Sequence, residues 1–86
     1  MTITIKIREC RIGGQIWGST THRTDDADEA IRRSINKHFG KKYGFYIDNG
    51  LTDNSADTRY GQIGHYLPSA NCSTMDTGRV RIDISR

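Results

Sequence analysis

Proline and cysteine are nearly absent from this chain: Pro68 is the only proline, and Cys10 and Cys72 are the only cysteines. One proline leaves no room for a Pro-rich linker or low-complexity arm. Two cysteines without a C-x-x-C spacing exclude a disulfide framework and a thioredoxin-like motif. A single Cys10–Cys72 bridge stays open as an alternative, because Cys10 ends the first predicted strand and Cys72 precedes the last. No apolar run approaches the roughly 18 residues of a membrane span, so no membrane partner is expected. The N-terminus does not read as a signal peptide, and a reducing, cytosolic setting is the expectation.

Acid is the scarcer charge, with 10 Asp and Glu against 13 Lys and Arg, for a net charge of +3. A basic bias of this size favours anionic partners and says nothing about fold. Hydrophobic residues make up 34% of the 86 residues, which limits the chain to one domain (1–86) with a thin core.

What remains is clearly patterned. "TITIKIRE" places Ile3, Ile5 and Ile7 on one face of a strand over residues 2–10. Gly13-Gly14 supplies the turn of a hairpin, and "QIWGSTT" is its partner strand. "TDDADEAIRRSINKHFG" carries Ala27, Ala30, Ile31, Ser34, Ile35, His38 and Phe39 at helical spacing. Asp26 is its expected N-cap, with Glu29 reaching back as in a capping box. Asp28–Arg32 and Glu29–Arg33 are expected i,i+4 pairs, and Gly40 stops the helix. "KYGFYID" is a third strand, the polar stretch 48–59 a long loop, "YGQIGHYL" a fourth strand ended by Pro68, "SANCSTMDTG" a connection with partly extended structure as the alternative, and "RVRIDIS" the last strand.

The expected fold is therefore α+β: one amphipathic helix packed on a mainly antiparallel sheet of four to five strands, in the order ββαβββ. The expected core is Ile3, Ile5, Ile7, Ile31, Ile35, Phe39, Phe45, Val80, Ile82 and Ile84, with either Ile16 or Trp17.

Motifs for chemistry are missing. His22, His38 and His65 do not share a zinc-ligand spacing with each other or with the cysteines. His38 reads as a partly buried helix residue and His22 as a solvent-facing strand end. Asp48, Asp53 and Asp57 lack the register of a calcium loop and a closing glutamate. Nothing places a serine on a strained elbow beside a histidine. Asn71-Cys72-Ser73 matches a glycosylation acceptor only by coincidence in a chain with no secretion signal. No catalytic residue, metal or cofactor is expected, and the chain reads as a non-enzyme.

The arginines of "GRVRIDISR" are the feature that needs an explanation. A half-buried strand needs polar residues on its solvent face but does not need Arg79 and Arg81 there. If the first and last strands are neighbours, Lys6, Arg8, Arg79 and Arg81 stand together on the face opposite the isoleucines. Like charges side by side cost stability unless acids such as Glu9 and Asp83, or a partner, offset them. Flanked by Tyr46, Tyr60 or Tyr66, such a platform suits a phosphate backbone, unstacked bases or an acidic protein surface.

The helix stretch "TDDADEAIRRSINKHFG" after a strand pair, together with the terminal strand "GRVRIDISR", resembles the small single-domain anti-CRISPR proteins of phages and mobile elements. The resemblance covers most of the chain as architecture and carries no catalytic residues. It implies a stoichiometric inhibitor in the cytoplasm of a bacterial host cell. Such an inhibitor docks on a CRISPR effector protein or ribonucleoprotein and obstructs target DNA binding or nuclease recruitment. Lys6, Arg8, Arg79, Arg81, Tyr46 and Tyr66 are the expected partner-binding residues, in a monomer or small homo-oligomer. A small basic module acting directly on DNA or RNA, and a phage structural protein assembling through a sheet edge, are the alternatives.

Overall fold

The computed structural model describes residues 1–48, 55 and 57–86. Its elements are β1 (Thr2–Glu9), β2 (Ile16–Arg23), α1 (Ala27–His38), β3 (Tyr43–Ile47), β4 (Thr58–Leu67), β5 (Cys72–Met75) and β6 (Val80–Ser85). The fold is α+β, one helix on an antiparallel sheet. The sheet has six strands in the order β2-β1-β6-β4-β3, with β5 also paired to β4.

The expected ββαβββ order is corrected by β5, which lies in the stretch read as a connection. Its residues are mostly exposed, so no apolar alternation marks it; backbone pairing to Gly64–Leu67 defines it. β5 and β6 run end to end along one edge of β4, and β3 takes the other edge. From Gly64 to Gly61 there are three steps on β4, against five from Met75 to Val80 opposite. The two extra residues form a bulge. There the Ile63 carbonyl accepts from both Asp76 N (2.9 Å) and Thr77 N (3.2 Å), and Ile63 N donates to Thr77 Oγ1 (3.0 Å).

Local chemistry explains the other boundaries. The β1–β2 connection is longer than a two-residue turn: Gly14 N donates to the Arg11 carbonyl, Glu9 N donates to that of Gln15, and only Gly13 takes a positive φ (+72°). Asp26 caps α1 by accepting from Asp28 N (3.0 Å) and Glu29 N (3.4 Å). The second half of the expected capping box does not form. Thr24 Oγ1 accepts from Asp26 N instead, and Glu29 turns outward to bind both Arg32 and Arg33. The Glu29–Arg33 pair forms as expected, whereas Arg32 pairs with Glu29 rather than Asp28. Gly40, with φ +125°, ends the helix where other residues would be strained.

The core lies between α1 and one sheet face: Ile3, Ile5, Ile7, Ala30, Ile31, Ile35, Ile63, Val80, Ile82 and Ile84 are buried. Ile63 was absent from the expected set. Phe39 and Phe45 are half-buried at its margin, with Trp17 in edge contact with Phe39 (5.7 Å between centroids). Ile16 is exposed, so Trp17 is the strand's contribution. Among the described residues, no helix is long and apolar enough to cross a membrane.

Candidate partner-binding face

The helix covers one side of the sheet, so alternate residues on the other side form an open face. β1 and β6 are antiparallel neighbours, with Lys6 opposite Asp83 and Arg8 opposite Arg81. Strand alternation that buries Ile5, Ile7, Ile82 and Ile84 turns these four outward. Lys6, Arg8 and Arg81 thus surround the single carboxylate of Asp83.

The geometry is specific. Arg81 Nε donates to Asp83 Oδ1 at 2.8 Å, and Arg8 Nε lies 3.4 Å from Asp83 Oδ2. The Arg8 nitrogen is buried and makes an ionic contact without hydrogen-bond geometry. The hydrogen bond and charge of Asp83 hold the Arg81 guanidinium above its ordinary pKa, so Arg81 stays charged throughout the physiological range. Glu9, the other acid expected to offset the platform, is engaged by Arg11 at 2.7 Å. One carboxylate therefore faces three cations, and the patch keeps a positive balance.

Arg79 precedes β6 and joins the same face. Its guanidinium stacks over the ring of Tyr60, 4.4 Å from the centroid, and Tyr60 is the register partner of Arg81. Four predicted cations and one tyrosine are thus brought together.

Tyr46 and Tyr66 lie on the same face but farther along, toward β3 and β5. Tyr46 pairs with Gln62, one strand beyond β4, about 14 Å from β1 at ordinary strand spacing. Gly44 and Gly64, paired in register, put no side chain on the surface there. The Tyr46 hydroxyl accepts from Ser73 Oγ (3.1 Å), and the Tyr66 hydroxyl donates to Asn71 Oδ1 (2.5 Å). Both rings are exposed yet held by their hydroxyls. Neither anchor is legible in the sequence, because Ser73 sits on the short, mostly exposed β5 and Asn71 in the turn before it, with φ 51°. A groove of about 470 Å³, lined by Tyr46, Asp48, Gln62 and Arg79 among others, connects the two halves of the face.

Elsewhere the side chains are mainly structural. A groove of about 590 Å³ lies on the helix side, lined by Ile31, Arg32, Phe45 and Arg59 among others. Cys10 and Cys72 are free thiols. His38 is exposed rather than partly buried, although its ring rests against Gly18. His22 is half-buried rather than solvent-facing. Its Nε2 is 2.8 Å from Thr20 Oγ1, which donates to the buried Ser34 hydroxyl. His65 Nδ1 meets Asp76 Oδ2 at 2.5 Å, beside the Tyr43 ring. Among the described residues no group of three metal-ligating side chains occurs. Most of the 48–59 stretch, including Asp53, lies outside the described residues. Comparison of the chain with known protein families, curated proteins and solved structures gives no match.

Proposed function

We propose that this protein is a non-enzymatic inhibitor of the anti-CRISPR kind, which docks its basic sheet face on an anionic surface of a CRISPR effector complex. Docking there obstructs target DNA binding or nuclease recruitment. The biological setting rests on the architectural resemblance; the binding surface rests on the cluster of Lys6, Arg8 and Arg81 around one carboxylate. A folded chain tolerates three neighbouring cations at some cost in stability, and an anionic partner supplies the missing counter-charge on binding. Tyr46 and Tyr66 extend the face with rigid rings that lose little entropy on contact.

The alternative, a module that binds nucleic acid directly, is favoured by one observation: Arg79 stacked on Tyr60 beside a basic stripe. Cations next to aromatic rings match phosphates and unstacked bases.

Affinity purification of the tagged protein from cells with an active CRISPR system separates the two. Co-purified effector subunits support the inhibitor. Nucleic acid without effector supports the module, and recovery of the protein alone overturns both.

A further inference from the structure

We infer that the free edge of β2 accepts an extended acidic segment of a partner protein as an added strand. Among the described residues β2 is the outermost strand on its side of the sheet, paired only to β1. Its register with β1 is regular from Gly18 to Arg23. Every second residue of an edge strand turns its N–H and C=O away from the sheet, which is a template for another chain. Proteins blunt such edges with proline, charged side chains, bulges or short length; the bulge of β2 is at Trp17, ahead of the regular run that begins at Gly18. β2 is eight residues long, has no proline, and is uncharged from Ile16 to Thr21. The opposite edge, β3, is five residues long, contains Gly44 and follows Lys41-Lys42.

Charge selects the occupant. α1 runs antiparallel to β2, with Ser34 bonded to Thr20 and the His38 ring against Gly18. Arg33 leans over the strand end and donates from Nη1 to the Arg23 carbonyl at 3.3 Å. Arg33 and Lys37 lie close enough to His22 to disfavour its protonation electrostatically. With Arg23, they line the edge with cations; Glu29, shared between Arg32 and Arg33, is the acid bound to this group. A second copy pairing through β2 would bring Arg23, Arg33 and Lys37 against their own likeness. An acidic strand meets complementary charge along the same main-chain ladder.

The probe is a short acetylated, amidated peptide alternating glutamate with valine, titrated into the full chain and followed by amide NMR and hydrogen exchange. Binding should shift and protect alternate β2 amides between Gly18 and Arg23. It should weaken about tenfold in Lys37→Glu, and in Arg33→Gln if the first variant melts early. Arg79→Glu should leave it unchanged, which separates this edge from the basic face. A peptide N-methylated at alternate positions should lose binding. The inference is overturned if the N-methylated peptide binds equally, if the shifts map to β3, or if no binding is seen at about 1 mM.

Discussion

Arg8 and Arg81 face each other directly across β1 and β6, two like charges at a position where cross-strand pairs are closest. Asp83 makes the arrangement tolerable by contacting both. Its own strand places it two residues from Arg81, on the same face, and its register partner is Lys6. The carboxylate is thus a hub for this part of the sheet, and the surrounding cations leave the face with a surplus of positive charge.

Asp83→Asn should separate these two roles. Removing the carboxylate leaves Lys6, Arg8 and Arg81 facing one another, and stability should fall by about 1–2 kcal/mol. The loss should shrink as ionic strength rises from about 0.01 M to about 1 M, because the screening length falls from about 30 Å to about 3 Å. Urea unfolding at the two salt concentrations checks this. Affinity for an anionic partner should be kept or increased. A salt-independent loss would show that Asp83 acts by packing rather than charge.

Reversing Arg79 and Arg81 together to glutamate should damage function more than folding. The change removes the Tyr60 stack, worth about 0.5–1 kcal/mol, and an exposed ion pair worth up to about 1 kcal/mol. A desolvated interface charge costs about 2–5 kcal/mol of binding when lost. Melting and CRISPR-protection assays on the same variant give the comparison. Full protection by a folded double variant would rule out this face as the contact.

Much of this was legible in the chain because one face of each main element is apolar. Ile3, Ile5 and Ile7, then Val80, Ile82 and Ile84, announced two half-buried strands, and their pairing followed from economy of topology. Asp26 announced the helix start. The rest was hidden for physical reasons. β5 buries almost nothing, so only its hydrogen bonds define it, and these leave no trace in residue type. Ile63 does not stand out as a core residue because Gly61, Gly64 and Gln62 surround it and break the apolar alternation. Glu29 had two uses open to it, the cap and the arginines, and the sequence does not say which wins. Of the site, the cations were legible by strand parity, but the anchors Ser73 and Asn71 depend on contacts across strands.

Ile35 sits at full burial in the middle of α1, against the sheet. Ile35→Ala should destabilise the domain by about 2–5 kcal/mol in urea unfolding, the range for an unfilled core cavity. Gly61→Ala tests the sheet instead. A Cβ there would lie 2.2 Å from the Tyr46 carbonyl oxygen and 3.0 Å from the Ile47 Cα, backbone atoms that cannot swing aside. The cost should be about 1–3 kcal/mol, with β3 amides exchanging fastest. An Ile35→Ala loss below about 1 kcal/mol would mean the helix face is placed wrongly.

His22 gives the fold a pH dependence of definite sign. Burial is the main cause that lowers its pKa below the ordinary 6.5, followed by the charges of Arg33, Lys37 and His38. Thr20 donates to Ser34 and therefore accepts from His22 Nε2–H, a bond both protonation states can make. The unfolded chain consequently takes up the proton at a higher pH than the folded one. Stability from the neutral imidazole is fully present above 6.5 and is lost as pH falls through the folded value below it. His22→Gln keeps an N–H donor for Thr20 but does not titrate. Wild type should lose stability relative to this variant between about pH 7 and about pH 5, in urea unfolding at matched ionic strength. Lys37→Gln removes one of the charges acting on His22 and should shrink the difference, with the His22 resonance titrating closer to 6.5. A wild type and His22→Gln pair whose stabilities run parallel with pH would refute the assignment.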